Sequence, residues 1–325
     1  MDLLIVDTLE AEVVQWLASR HPVVHAPELA FDPRSFRRAL YSVRAMIVPS
    51  TVTLDTQTLH YAPVLQAVGR VSAGAENIDL EACARAEVEV VRSPTATAQA
   101  EAEFMIGALI SLLRRVPVSG VDGIPVGREL GSATVGFVGM APAARSMANM
   151  LVAFGSKVVG YDPSLHASDS VWERWHVAPL SLRDLLMESD AVCVQLNYFS
   201  RYHGLLGERF LSFCKPNQVL VSTAHSGLFD ESALAAALHS GRLAAAWLDS
   251  MEPGALDEGR PLHGIETLQV TPRVASTTRE SRSRSAWAVA RRIDELLNER
   301  QTGLRELKPL APAAPLDLEA ATWLR

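Results

Sequence analysis

Short apolar runs of strand length recur through the first hundred residues: Leu3–Asp7, Val23–Ala26, Ala45–Ser50, Leu65–Ser72 and Val88–Arg92. Between the first two, Val13, Val14 and Leu17 fall at helical spacing, with Trp16 beside them. This alternation predicts a small, doubly wound parallel sheet with helices on its faces. A long helix is predicted over Ala100–Arg115, apolar on all sides through Phe104, Ile106, Leu109, Ile110 and Leu113, as expected of a helix buried between domains. The segment from Val116 to Gly131 reads as a loop. A second series of strands then begins at Thr134–Val138 and continues with Lys157–Tyr161, Ala191–Leu196, Gln218–Ser222, Ala244–Asp249 and Leu268–Thr271. A last helix is predicted from Arg282 to Arg300, and Lys308–Pro315 reads as an extended Pro/Ala segment.

With 325 residues, 48% of them hydrophobic, the chain is long and apolar enough for two packed domains. The net charge of -7 repels phosphate backbones, so no nucleic-acid partner is expected. Cys83, Cys193 and Cys214 form no CxxC pair, so neither a disulfide framework nor a metal site is predicted, and all three are expected to be small buried residues. The chain opens directly on a strand, and no apolar run is expected to span a bilayer. The expectation is a soluble cytoplasmic protein with no membrane partner.

The strongest chemical signal is the turn after the second series' first strand, Gly139-Met140-Ala141-Pro142-Ala143-Ala144. A dinucleotide fingerprint has the form G-x-G-x-x-G/A, entering a helix whose N-terminus faces the pyrophosphate. Gly139 supplies the tight turn and Ala144 the close helix–strand packing. The second glycine is replaced by Ala141, whose methyl group stands where the pyrophosphate approaches, so NAD binding is expected to be weakened or lost. Pro142 suits the first helical position. Asp162, about twenty residues on, stands where a ribose-binding carboxylate belongs and favours NAD over NADP; alternatively it caps the Asp-Pro turn.

Several segments, in order and up to about residue 300, resemble the D-isomer-specific 2-hydroxyacid dehydrogenase family, which includes glyoxylate/hydroxypyruvate reductases and phosphoglycerate dehydrogenases. They are Arg70–Asp79, Ser93–Glu103, Thr134–Arg145, Ser222–Leu234, Gly241–Asp249 and Thr271–Ser276. The resemblance implies a flavodoxin-like substrate domain (1–98 plus 283–307), a Rossmann NAD-binding domain (99–282) and a cleft between them, with 308–325 as a C-terminal tail. It implies cofactor contacts at Gly139, Ala141, Pro142, Ala143, Asp162, Thr223 and Asp249. It also implies a turn at Ser72, Ala73 and Gly74 that holds the carboxylate of a small 2-keto or 2-hydroxy acid. A homodimer is expected, with an altered contact, because Val116–Gly131 is short and lacks the family's extra helix and tryptophan. Leu316, Leu318, Trp323 and Leu324 in the tail could dock on the protein itself or on a protein partner.

The family's substrate-gripping arginine, catalytic glutamate and catalytic histidine fall at His225, Gly254 and Arg273. A guanidinium cannot shuttle protons near neutral pH, an imidazole cannot grip a carboxylate in two-pronged fashion, and glycine offers no carboxylate. One expectation is therefore a silent homologue with a sensing, regulatory or assembly role. A second is a working oxidoreductase with a rearranged site: Arg273 holds the carboxylate, His225 moves the proton, and Glu252, two residues before Gly254, supports it. A third is a structural subunit with closed pockets.

Overall fold

The computed structural model describes residues 1–71, 74 and 77–305, with side chains through 299. The chain divides into two compact units. Among the described residues, the first holds 1–69, 77–91 and 289–305, and the second holds 70, 71, 74 and 92–288. The divisions fall at 91/92 and 288/289, against expected positions of 98/99 and 282/283, because the long helix joins the second unit from its first turn.

In the first unit, β1 (Leu3–Ile5), β2 (Val23–His25), β3 (Ala45–Ile47), β4 (Ala67–Gly69) and β5 (Glu89–Val91) form a parallel sheet in the order β2-β1-β3-β4-β5. Its helices are α1 (Ala11–Ala18), α2 (Pro33–Ala39), α3 (Thr56–His60) and α4 (Leu80–Arg85). The strand order is that of flavodoxin-like sheets. β1, β3 and β4 are buried along their whole length, as parallel strands covered on both faces must be.

The second unit opens with α5 (Pro94–Arg115). A small antiparallel hairpin, β6 (Val118–Ser119) and β7 (Pro125–Val126), replaces the expected loop; Asp122 and the Gly120–Gly123 turn close it. Then follow β8 (Thr134–Val138), α6 (Pro142–Phe154), β9 (Lys157–Tyr161), α7 (Ser170–Arg174), β10 (Ala178–Pro179) and α8 (Leu182–Glu188). The unit continues with β11 (Ala191–Val194), α9 (Glu208–Leu211), β12 (Val219–Ser222), α10 (Glu231–His239), β13 (Ala245–Leu248), β14 (Leu268–Val270) and the start of α11 (Arg279–Arg305). The sheet is parallel throughout, in the order β10-β9-β8-β11-β12-β13-β14. The chain builds outward from β8 to β10, then crosses back and builds outward from β11 to β14. The switch point therefore lies between β8 and β11, where a doubly wound sheet opens a crevice at its strand C-termini.

Two apolar cores cover the sheet's faces. One joins α5 and α6 to the sheet through Met105, Leu109, Phe137 and Met147; the other joins α8 and α10 through Leu185, Val192, Leu220 and Leu234. The main packing partners of α5 are α6, β12 and β13 of its own unit, where the sequence suggested burial between domains. At 22 residues α5 is long and apolar enough to cross a membrane by length and composition, which corrects the expectation that no run is. Its buried face of Ala102, Met105, Leu109 and Leu113 is that of a core helix.

All three cysteines are buried and free. Burial pushes the Cys214 thiol up to about 12 and raises Cys83 and Cys193 as well. Thiol labelling at pH 8 is therefore expected to modify none of them in the native protein and all three in denaturant. Rapid native labelling of any one would contradict this packing.

Candidate dinucleotide site and the positions around it

The fingerprint turn is built as the sequence requires. Gly139 has φ +97°, and a Cβ there would lie 2.4 Å from the backbone N and Cα of Leu196. Glycine is needed twice, for the left-handed backbone and for the approach of the chain leaving β11. Ala141 differs: its φ of -60° and ψ of 164° are ordinary for any residue, so the backbone itself does not ask for glycine. It occupies the N-cap of α6 with no side chain bonded to the helix's first N–H groups, and Pro142 follows at N1. Ala143 and Ala144 are buried beneath. Arg145, one turn in, donates Nε to the Met140 carbonyl at 2.8 Å.

These residues line one side of a cavity of about 220 Å³, with Asp162, Gln195, Leu196 and Tyr202 on the other sides. The uncapped end of α6 and the Arg145 guanidinium give it a positive edge. Asp162 takes the turn-capping role read from the sequence. Its Oδ2 accepts from Met140 N at 2.8 Å, and its Oδ1 accepts from Ser164 N at 2.9 Å and Ser164 Oγ at 2.6 Å. It thus closes the turn after β9 and ties it to the fingerprint turn, while remaining on the cavity wall.

Asp249, at the end of β13, is buried and organises the next strand's exit. Its carboxylate accepts from Thr271 Oγ1 at 2.5 Å, Val274 N at 2.9 Å and Ala275 N at 2.8 Å. Between these contacts sits Arg273, exposed, with φ +57° and its N–H donating to the Asp249 carbonyl at 2.8 Å. A left-handed arginine stores backbone strain of order 1–2 kcal/mol, and such strain collects at functional loops. Thr223, at the end of β12, accepts a short hydrogen bond from Gln195 Nε2.

His225 begins a turn of 3₁₀ helix, and its Nδ1 accepts from Gly227 N at 3.0 Å. That bond places the proton of a neutral ring on Nε2, which lies 3.7 Å from Glu252 Oε1. The ring stacks on Tyr198 at 4.3 Å with 17° between planes. Ser226 Oγ, 3.4 Å from the same Glu252 oxygen, steadies the acid. The fold therefore brings His225 and Glu252 together across the β12 and β13 exits, while Arg273 follows β14. Gly254 has φ +79°, a left-handed backbone that favours glycine, and a Cβ there would meet Asp257 Oδ2 at 3.0 Å.

Gly74 is partly buried; Ser72 and Ala73 lie outside the described residues, as does the tail with Leu316, Leu318, Trp323 and Leu324. Among the described residues no group of three or more His, Cys, Asp or Glu side chains is placed to hold a metal. Sequence reasoning passed over Gln195, Arg145, Tyr198 and Glu101. Only Glu101 left a signal, as an acid at the head of an apolar helix.

Residues 119–275 match the family model described as "D-isomer specific 2-hydroxyacid dehydrogenase, NAD binding domain". The chain is 30% identical over 307 residues to an (S)-sulfolactate dehydrogenase from Chromohalobacter salexigens, covering 92% of this chain and 99% of the relative. The chain belongs to the D-isomer specific 2-hydroxyacid dehydrogenase family. It is also 32% identical over 257 residues to D-3-phosphoglycerate dehydrogenase of Mycobacterium tuberculosis, covering 77% of this chain but spanning about half (48%) of that relative. Among solved structures, a protein of Thermus thermophilus superimposes with a TM-score of 0.75 at 25% identity, over 92% of this chain and 97% of that one. D-lactate dehydrogenase of Aquifex aeolicus, solved with NAD and lactic acid, gives 0.75 at 20% identity, over 94% and 98%, a likeness of fold. The fingerprint turn and Asp162 line the cavity, and Asp249 lies at the exit of β13.

Proposed function

We propose that the chain is an NAD-dependent oxidoreductase acting on a small 2-hydroxy or 2-keto acid through a rearranged site. The observation that carries this reading is the His225–Glu252 pair, 3.7 Å apart, with Nδ1 fixed by a backbone N–H. An imidazole beside a carboxylate is the pair from which a general acid/base is built; here the ring takes a proton at Nδ1, giving up the Gly227 N–H bond, before it gives one up from Nε2. Glu252 sits where the family's Gly254 position cannot supply an acid. Arg273 gives the cation that holds the substrate carboxylate, and Gly74 belongs to the turn expected to cradle it. The dinucleotide lies along the 220 Å³ cavity, with its pyrophosphate at the α6 N-terminus and Arg145. NAD supplies hydride transfer when bound; the chain's own residues position the acid and move its proton.

The testing experiment is calorimetric titration with NAD⁺ and NADH, followed by turnover on a panel of small 2-keto acids. Binding and turnover support the reading; binding of neither cofactor overturns it. A second reading, a binding protein without turnover that serves as a sensor or assembly partner, draws on the Gly254 loop, which is left-handed and crowded against Asp257. It is supported if cofactor binds and no acid on the panel is turned over. A structural subunit with closed pockets fits poorly with an open cavity of this size.

Ala141 tests the cofactor half of the reading separately. Because its backbone is ordinary, Ala141→Gly removes one methyl group and little else. Affinity for NAD⁺ is expected to rise several-fold, with thermal stability nearly unchanged. An unchanged dissociation constant would mean that the pyrophosphate passes clear of residue 141.

A further inference from the structure

The loop after β11 lies against the turn that carries His225. Tyr198 packs on the apolar core shared with α8 and α10, and its ring stacks on the imidazole with centroids 4.3 Å apart and 17° between planes. Its hydroxyl shares a hydrogen bond of 3.2 Å with His203 Nδ1, further along the same loop. Backbone bonds stitch the two segments together: Gly204 N donates to the Gly227 carbonyl at 2.9 Å, and Leu206 N to the Leu228 carbonyl at 2.8 Å. Gly227 leaves room for the stack. A Cβ there would lie 2.9 Å from Tyr198 Cε2 and 3.1 Å from His225 Nδ1, so a side chain at 227 presses on both rings.

The contacts that orient the imidazole respond differently to proton transfer. The bond from Gly227 N to Nδ1 exists only while Nδ1 is unprotonated. It is lost when the ring takes its second proton, because both nitrogens of an imidazolium are donors. The stack makes no such demand, since the face of a phenol ring packs against a neutral ring and attracts a cationic one. The titratable groups around the ring are Glu252 from the loop after β13, and Tyr198 with His203 beyond it from the loop after β11.

We propose that Tyr198 is a positioning residue of the rearranged site, holding the His225 ring in one orientation through both of its charge states. The inference rests on the oxidoreductase reading above, in which the ring gains a proton at Nδ1 and gives one up from Nε2. Without the stack, the charged ring has lost the Gly227 bond and keeps only the exposed Glu252 as a directed partner, so the direction of Nε2 is no longer fixed. Misplacing a reacting group by about 1 Å costs of order 10²-fold in rate.

The test is steady-state kinetics of the full chain with NADH and the 2-keto acid it turns over. Tyr198→Leu is expected to lower kcat by about ten- to hundredfold while KM stays close to that of wild type. Tyr198→Phe keeps the ring and is expected to recover most of that loss. Gly227→Ala changes neither ring and should lower kcat in the same direction by pushing them apart. In a His225→Ala background, Tyr198→Leu should cost less than about twofold more, because a residue that acts through the imidazole has nothing left to position. Full, independent losses from the two substitutions, or an unchanged kcat in Tyr198→Leu, would overturn the inference while leaving the oxidoreductase reading intact. NMR of the wild-type histidine ring protons decides the matter even if Tyr198→Leu folds poorly, with His225 assigned by its absence in His225→Ala. Upfield displacement of the His225 protons by the phenol ring is expected throughout pH 5–8, the range in which an imidazole ordinarily changes charge. Displacement confined to the neutral ring would overturn the inference. Turnover of no 2-keto acid, or turnover untouched by His225→Ala, would overturn both the inference and the reading beneath it.

Discussion

His225→Ala is expected to lower kcat by about 10²–10⁴-fold, the usual contribution of a general acid/base. The loss follows from the geometry around the ring. Nδ1 accepts from Gly227 N, and Nε2, which carries the proton of the neutral ring, lies 3.7 Å from Glu252 Oε1. The substitution removes both the proton carrier and the charge pair, while the Tyr198 face that stacks on it remains. Glu252→Gln keeps the shape and removes only the charge, so a smaller loss of about tenfold is expected. The measurement is kcat against pH for wild type and both variants on whichever 2-keto acid is turned over. Activity untouched by His225→Ala would eliminate the rearranged site as drawn.

The largest structural effect is expected from Gly139→Ala. The new Cβ would lie 2.4 Å from the Leu196 backbone and 2.5 Å from the Gln195 carbonyl, at a residue whose φ is +97°. The overlapping atoms are main chain, held by the β8–β11 ladder, and cannot swing aside as a flexible side chain would. Left-handed strain adds about 1–2 kcal/mol to that overlap. A total destabilisation of about 3 kcal/mol or more is expected. At about 2–4 °C per kcal/mol for a unit of this size, the second unit's melting temperature should fall by about 6–12 °C, with loss of cofactor binding. A variant that melts with wild type would show that the turn and the Leu196 segment can separate at little cost.

Much of the site was legible in advance because its signals are local. Gly139 and Pro142 are set by the dihedral angles of a strand–turn–helix passage, and Asp162 by the turn that ends β9. The partners these residues take were not legible. Glu252 was matched to His225 only by its parity in an extended segment, whereas the contact comes from the β12 and β13 exits curling toward each other. Asp249, assigned to the cofactor, also accepts three hydrogen bonds from the 271–275 turn. Nothing in the spacing joins Gln195 to Thr223, which lies 28 residues further along the chain.

By itself, then, the sequence determined two doubly wound parallel sheets, their strands other than the short β10 to within a few residues, and the fingerprint turn. All of these follow from apolar periodicity and backbone preference within short windows. Tertiary structure alone decided which polar side chains meet at the strand C-termini. It alone brought His225 and Glu252 within 3.7 Å and gave Gly254 its left-handed backbone. Those outcomes depend on side chains from distant segments sharing a desolvated space, where the cost of an unpaired charge is set by its neighbours and not by its place in the chain.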